Sequence, residues 1–198
     1  YKIDNIANIK RIIPPQLVSP SNSFNPPKKY NMKVVISEKE IIAAANDGMD
    51  AFVKLFYDAV MHSINGKLDI DSMKELTTDQ ITLIAYIWLR DEVMDGGFVQ
   101  LIHNGYGSFI FKNPFAKMMK EWGLKDLSKL IYAVRKLYIE NGEELEKECS
   151  DETFMSLFER FPVYDDFDDS FVANEEDWTN DVAHYIDKNI DNFAKVEK

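Results

Sequence analysis

Gly96 and Gly97 stand inside "DEVMDGGFVQLIHNGYG", residues 91–107, where the apolar spacing is otherwise that of continuous helix. An interior glycine costs a helix about 1 kcal/mol relative to alanine, so two in succession imply a geometric demand that only glycine meets. A phosphate loop would need spaced glycines followed by Lys-Ser/Thr, and a dinucleotide fingerprint would need a preceding strand. Neither surrounds this pair. The remaining reading is architectural: the chain bends at the glycines so that two helices pack closely. Asp95 is then expected to cap a new helix by accepting from backbone N–H groups, with Phe98 as its inward anchor.

Helical periodicity dominates the rest of the chain. "SEKE" places Ser37 three residues before Glu40, and "TTDQ" places Thr77 three before Gln80, both signatures of a capping box. Phe52, Leu55, Phe56, Ala59 and Val60 recur at helical spacing. The run around Ile81, Ile84, Ala85, Ile87 and Trp88 is apolar on all sides, as in a deeply buried helix. A break is expected near Asn46–Gly48, a turn at "INGKLD", and further helices at about 114–122, 125–141, 151–160 and 177–194. Strand alternation is missing, except that Lys33 to Ile36 reads as a short extended piece. The expected fold class is all-α: a single helical-bundle-like domain over 37–198, preceded by an extended Pro-rich arm or linker over 1–36. Five prolines (Pro14, Pro15, Pro20, Pro26 and Pro27) rule out a helix through that arm.

Charge separates the two parts. The formal net charge is −11, yet residues 1–36 carry six Lys and Arg against Asp4 alone. Within 143–191, 17 acids face only Lys147, Arg160 and Lys188. Such a body repels nucleic acid, whose binding depends on Lys and Arg releasing counterions, so no direct nucleic-acid binding is expected. Its natural partners are cations or basic proteins. The arm's own basic residues would also suit the acidic body. No run of about 18 uncharged apolar residues marks a membrane span. Cys149 is the single cysteine, which excludes an internal disulfide and suits a cytoplasmic location. An opening at Tyr1 in place of methionine leaves a removed signal peptide open. The sequence sets no oligomeric state.

Enzyme chemistry finds little support. His62, His103 and His184 sit in no metal-ligand spacing, and "INGKLDIDSMKE" fails the register of a calcium loop. "GYGSF" lacks the serine-nucleophile elbow. Asp91 and Glu92 are the best candidates for a buried acid pair, with capping or pairing to Arg90 as their simplest role. No cofactor and no metal are expected. The distinctive segment is "VYDDFDDSFVANEEDW", where Tyr164, Phe167 and Phe171 recur at three- and four-residue spacing and would pin the chain to the core. Asp165, Asp166, Asp168 and Asp169, with Glu175, Glu176 and Asp177, then form a candidate surface for a basic partner. A solvated junction leading into a helix that starts at about residue 177 is the simpler alternative, the last three acids favouring that helix's N-terminus.

The glycine stretch, "KEWGL", "DDFDDSF" and "YIDKNIDNFAK" together resemble the DNA-mimic protein family. The family's pattern is an asparagine before Gly-Gly-Phe, a glutamine two residues on and an asparagine four further. Gly96, Gly97, Phe98, Gln100 and Asn104 match it, and Asp95 replaces the usual asparagine. The likeness covers roughly residues 40–196 and leaves the arm outside. It implies an all-helical, non-enzymatic domain whose negative charge imitates DNA toward a DNA-binding protein. Beside that acidic interaction module stand two other readings. One is an inhibitor or immunity-like binder with a shaped aromatic surface; the other is an enzyme built around Asp91, Glu92, Gln100 and His103.

Overall fold

The computed structural model describes residues 33–198, so of the extended arm expected over 1–36, residues 1–32 lie outside the described residues. The described body is helical apart from two three-residue strands, in agreement with the all-α reading. In chain order its elements are β1 (Val35–Ser37), α1 (Glu38–Asp47), α2 (Met49–Ser63), α3 (Ile70–Glu75), α4 (Thr78–His103), α5 (Gly107–Phe111), α6 (Phe115–Glu121), α7 (Lys125–Leu145), α8 (Asp151–Arg160), a 3-10 turn (Pro162–Tyr164), α9 (Asp165–Lys188), α10 (Ile190–Phe193) and β2 (Lys195–Glu197).

Both expected capping boxes form. Ser37 Oγ accepts from Glu40 N while the Glu40 carboxylate accepts from Ser37 N. Thr77 and Gln80 repeat the exchange at the start of α4. Gly48, at φ 126°, separates α1 from α2 where the break was expected. The short extended piece near Lys33 is β1, which pairs in parallel with β2, Val35 opposite Lys195. Val34 and Ile36 are buried, so this stretch packs as part of the body.

α4 forms the axis of the core. Leu83, Ile84, Tyr86 and Leu89 are fully buried on it, and α2, α5, α7 and α9 pack around it. Polar groups on α4 also hold the C-terminus. Gln80 Nε2 donates to Phe193 O at 2.7 Å, and Thr77 Oγ1 donates to Asn192 O at 2.8 Å. Trp122 Nε1 and Asn192 Nδ2 both donate to the Asp79 carboxylate, at 2.9 and 2.7 Å.

Two local expectations are corrected. The acidic segment is not a loop leading to a helix at about residue 177: α9 already starts at Asp165, and Glu175, Glu176 and Asp177 lie in its middle. The reason is burial, because Tyr164 and Phe171 are fully enclosed and Phe167 packs on the core at helical spacing. Asp165, Asp166 and Asp168 in the first turn suit the positive end of the helix dipole. The second correction concerns Asp95, whose carboxylate accepts from Gln100 Nε2 at 2.9 Å. The new helix after the glycines is capped from another element.

Candidate functional site

That cap comes from α9. α4 is interrupted at Gly96 (φ −162°, ψ 26°) and Gly97 (φ 71°, ψ −175°), then resumes at Phe98. Phe98 N donates to Asp168 Oδ1 at 2.8 Å, so a carboxylate 70 residues downstream satisfies the first free donor of the resumed helix. A Cβ on Gly97 would collide with that same carboxylate, and one on Gly96 would collide with the Gln100 side chain. The expected bend and close approach are therefore both present. Phe98 is fully buried, meeting Phe171 edge-on at 6.2 Å between ring centres.

The other motif residues enclose a buried carboxylate. Glu92, 8% exposed, accepts from Asn104 Nδ2 at 2.7 Å and from Gln100 Nε2 at 3.2 Å. Asp91 points away and pairs with Arg90, as expected. His103 Nδ1 lies 2.8 Å from Leu145 O and its ring packs on Phe154. Glu92 and Gln100 of the enzyme reading are thus engaged with each other, Asp91 with Arg90 and His103 with backbone. Among the described residues no group of three or more His, Cys, Asp and Glu is placed to hold a metal ion, and no helix is long and apolar enough to cross a membrane.

The candidate acids divide into two sets. Asp168 turns inward beside Gly97, where burial, together with Asp165 and Asp169, raises its pKa to about 6 against the lowering effect of the Phe98 N–H. Glu175 is 14% exposed, accepts from Thr179 Oγ1 at 2.7 Å and lies 3.8 Å from Arg90. Arg90 also holds Asp50 at 2.9 Å, so the charge of Glu175 is offset within the body. Thr179 in turn shares a 2.8 Å hydrogen bond with Tyr86, which ties α9 to α4.

Asp165, Asp166, Asp169, Glu176 and Asp177 are all exposed on the outward half of α9. Asp181 and Asp187 continue the row, and helical spacing from Asp166 would have found them had α9 been started at residue 165. None of these seven carboxylates forms an ion pair among the described residues. Elsewhere exposed acids are commonly paired: Lys54 with Asp58, Lys74 with Asp71, Lys129 with Asp126. Lys188 is the single Lys or Arg in α9. At 1.5 Å per residue the seven span about 33 Å, or one charge per ~5 Å. One DNA strand carries a charge per ~3.4 Å of axis. The aromatic side chains lie mostly inside; Tyr132 is the one aromatic among the exposed large hydrophobic residues described.

Two comparisons bear on this site. A family model described as DMP19-like protein matches residues 74–189, which include the glycine motif and all of α9. The DNA mimic protein DMP19 of Neisseria meningitidis serogroup B is 33% identical over 127 residues, covering 64% of this chain and 77% of that protein.

Proposed function

Because the chain belongs to the DMP19-like protein family, we propose that it is itself a DNA mimic: a non-enzymatic domain whose α9 face occupies the basic surface of a DNA-binding protein. The observation that carries this reading is the row of seven outward carboxylates on one rigid helix, unpaired among the described residues. A carboxylate paired with lysine has little attraction left to offer, whereas an unpaired row meets Lys and Arg as phosphates do. The helix is held in place by Asp168 beneath its first turn and by the Thr179–Tyr86 contact in its middle, so little ordering accompanies binding.

The test is affinity capture from a lysate of the source organism at low and high salt. A variant carries Asp165→Asn, Asp166→Asn, Asp169→Asn, Glu176→Gln and Asp177→Asn. Asp168 is left intact because it supports the fold. Basic DNA-binding proteins should be retained at low salt and released by added duplex DNA, by salt or by the substitutions. Capture that survives salt and all five substitutions would overturn the reading.

A further inference from the structure

A groove of about 220 Å³ lies between α9 and the junction of α1 with α2, lined by Ala45, Met49, Phe52, Ala183, His184 and Asp187. Phe52 and Ala183 are buried, Met49 is 41% exposed, and His184 and Asp187 are exposed. We propose that this groove anchors the basic partner by taking one of its arginine side chains, with the stem against Met49, Phe52 and Ala183 and the guanidinium on Asp187. The identity of that partner rests on the α9 face acting as a DNA mimic.

Apolar walls with an acid among them select that side chain. An apolar cavity of ~150 Å³ holds a benzene ring, so this groove has room for one long side chain. Arginine lays its methylene stem along apolar surface while its head stays charged. Its guanidinium is more weakly hydrated than an ammonium and meets a carboxylate through two parallel N–H donors. The body does not supply the cation: no Lys or Arg lines the groove, and Asp187 has no ion pair among the described residues. Lys188 leaves the helix about 100° round from Asp187.

The groove also continues the acidic face. Asp169, Glu176, Ala183 and Asp187 recur at helical spacing on one side of α9, so a partner lying along the carboxylates reaches the groove. α1 widens the same surface. None of its residues is buried, its apolar run Ile41–Ala45 included, and Ile42, one turn before Ala45, is 54% exposed. A contiguous apolar patch beside polar residues marks an interaction site. Phosphate-like carboxylates attract any basic surface, whereas a groove to be filled picks out the partner with an arginine at that point.

The experiment titrates n-butylguanidinium into the full chain with isotope-labelled methionine methyl groups. The Met49 signal should shift saturably while Met155, on α8, stays in place. Methylguanidinium, which lacks three of the methylenes, should bind about tenfold more weakly, and Asp187→Asn should weaken butylguanidinium about threefold. Ala45→Leu fills the groove from an exposed helix position, keeps the fold and should abolish the response. A Met49 signal that ignores butylguanidinium, moves equally with n-butanol, or follows protein concentration alone would overturn the proposal. The chain with five substitutions from the capture test keeps Met49 and Asp187, so it should still bind butylguanidinium whatever becomes of capture. Against the captured partner, Ala45→Leu should lower affinity about tenfold with the salt slope unchanged. Unchanged affinity would overturn the groove as the anchor, whereas a salt-independent affinity of the natural chain would overturn the mimic reading instead.

Discussion

Gly97→Ala is the substitution on which the role of the glycine pair depends. At φ 71° and ψ −175° the residue occupies a region that is essentially glycine's alone, and a side chain held there costs about 1–3 kcal/mol. The new Cβ also collides with the Asp168 carboxylate. Moving that carboxylate breaks its 2.8 Å bond from Phe98 N, and a buried bond to a charged acceptor contributes about 1.5–3 kcal/mol. The expected loss is about 3–5 kcal/mol, a large share of the 5–15 kcal/mol typical of a folded domain. For a chain of this size it lowers the melting temperature by about 6–20 °C.

Calorimetry and urea unfolding measure the loss directly, and a double-mutant cycle with Asp168→Ala assigns it. Where Asp168 is already removed, Gly97→Ala should retain only its backbone strain, so the two costs fall short of additivity by at least ~1.5 kcal/mol. A loss below ~1 kcal/mol for Gly97→Ala, or costs that add within ~0.5 kcal/mol, would refute the collision account.

Other substitutions test the surrounding contacts. Asp168→Asn keeps an oxygen to accept from Phe98 N and removes the ionisation. The folded pKa of about 6 lies above the ordinary aspartate value of 3.8, so this group's contribution is full below about pH 4 and is lost as pH rises through about 6. The stability of the natural chain minus that of the variant should therefore fall between pH 4 and 7 in urea titrations; a flat difference would contradict the burial account. Asn104→Ala and Gln100→Ala each take a donor from buried Glu92 and should cost about 1.5–3 kcal/mol by thermal unfolding. Gln80→Ala leaves Phe193 O without its donor, and faster hydrogen exchange at β1 and β2 should report the loosened C-terminus.

Where local chemistry decides structure, the sequence is readable. Ser37 and Thr77 cap as their spacing to Glu40 and Gln80 requires, and Gly48 breaks the chain where its composition suggests. The all-helical fold was legible from the helical periodicity, and the DNA-mimic family from the glycine stretch taken together with "KEWGL", "DDFDDSF" and "YIDKNIDNFAK". Long-range partnership was not. Nothing near Asp95 shows that its expected capping role falls to a carboxylate on another helix, because a cap needs only an oxygen at the right point in space. The start of α9 was missed for a related reason: four acids around Phe167 look solvated until Tyr164 and Phe171 are known to be enclosed. Once the helix begins at Asp165, the inward turn of Asp168 and Glu175 follows from their position between the buried residues.

Asp168 joins the two halves of this description. It belongs by sequence to the acidic run and by geometry to the glycine motif, so it fixes α9 against the resumed helix at Phe98. Its removal and the removal of an exposed neighbour should therefore weaken partner binding in different ways. Asp169→Asn deletes one outward charge and should make the dependence of log affinity on log salt shallower, because fewer charges are neutralised. Asp168→Ala deletes a charge already turned inward and releases the first turn of α9, so affinity should fall with the salt slope unchanged. Measured by titration calorimetry against the captured partner at several salt concentrations, equal slope changes for the two variants would show that Asp168 itself meets the partner. Its place beneath the helix would then describe only the unbound protein.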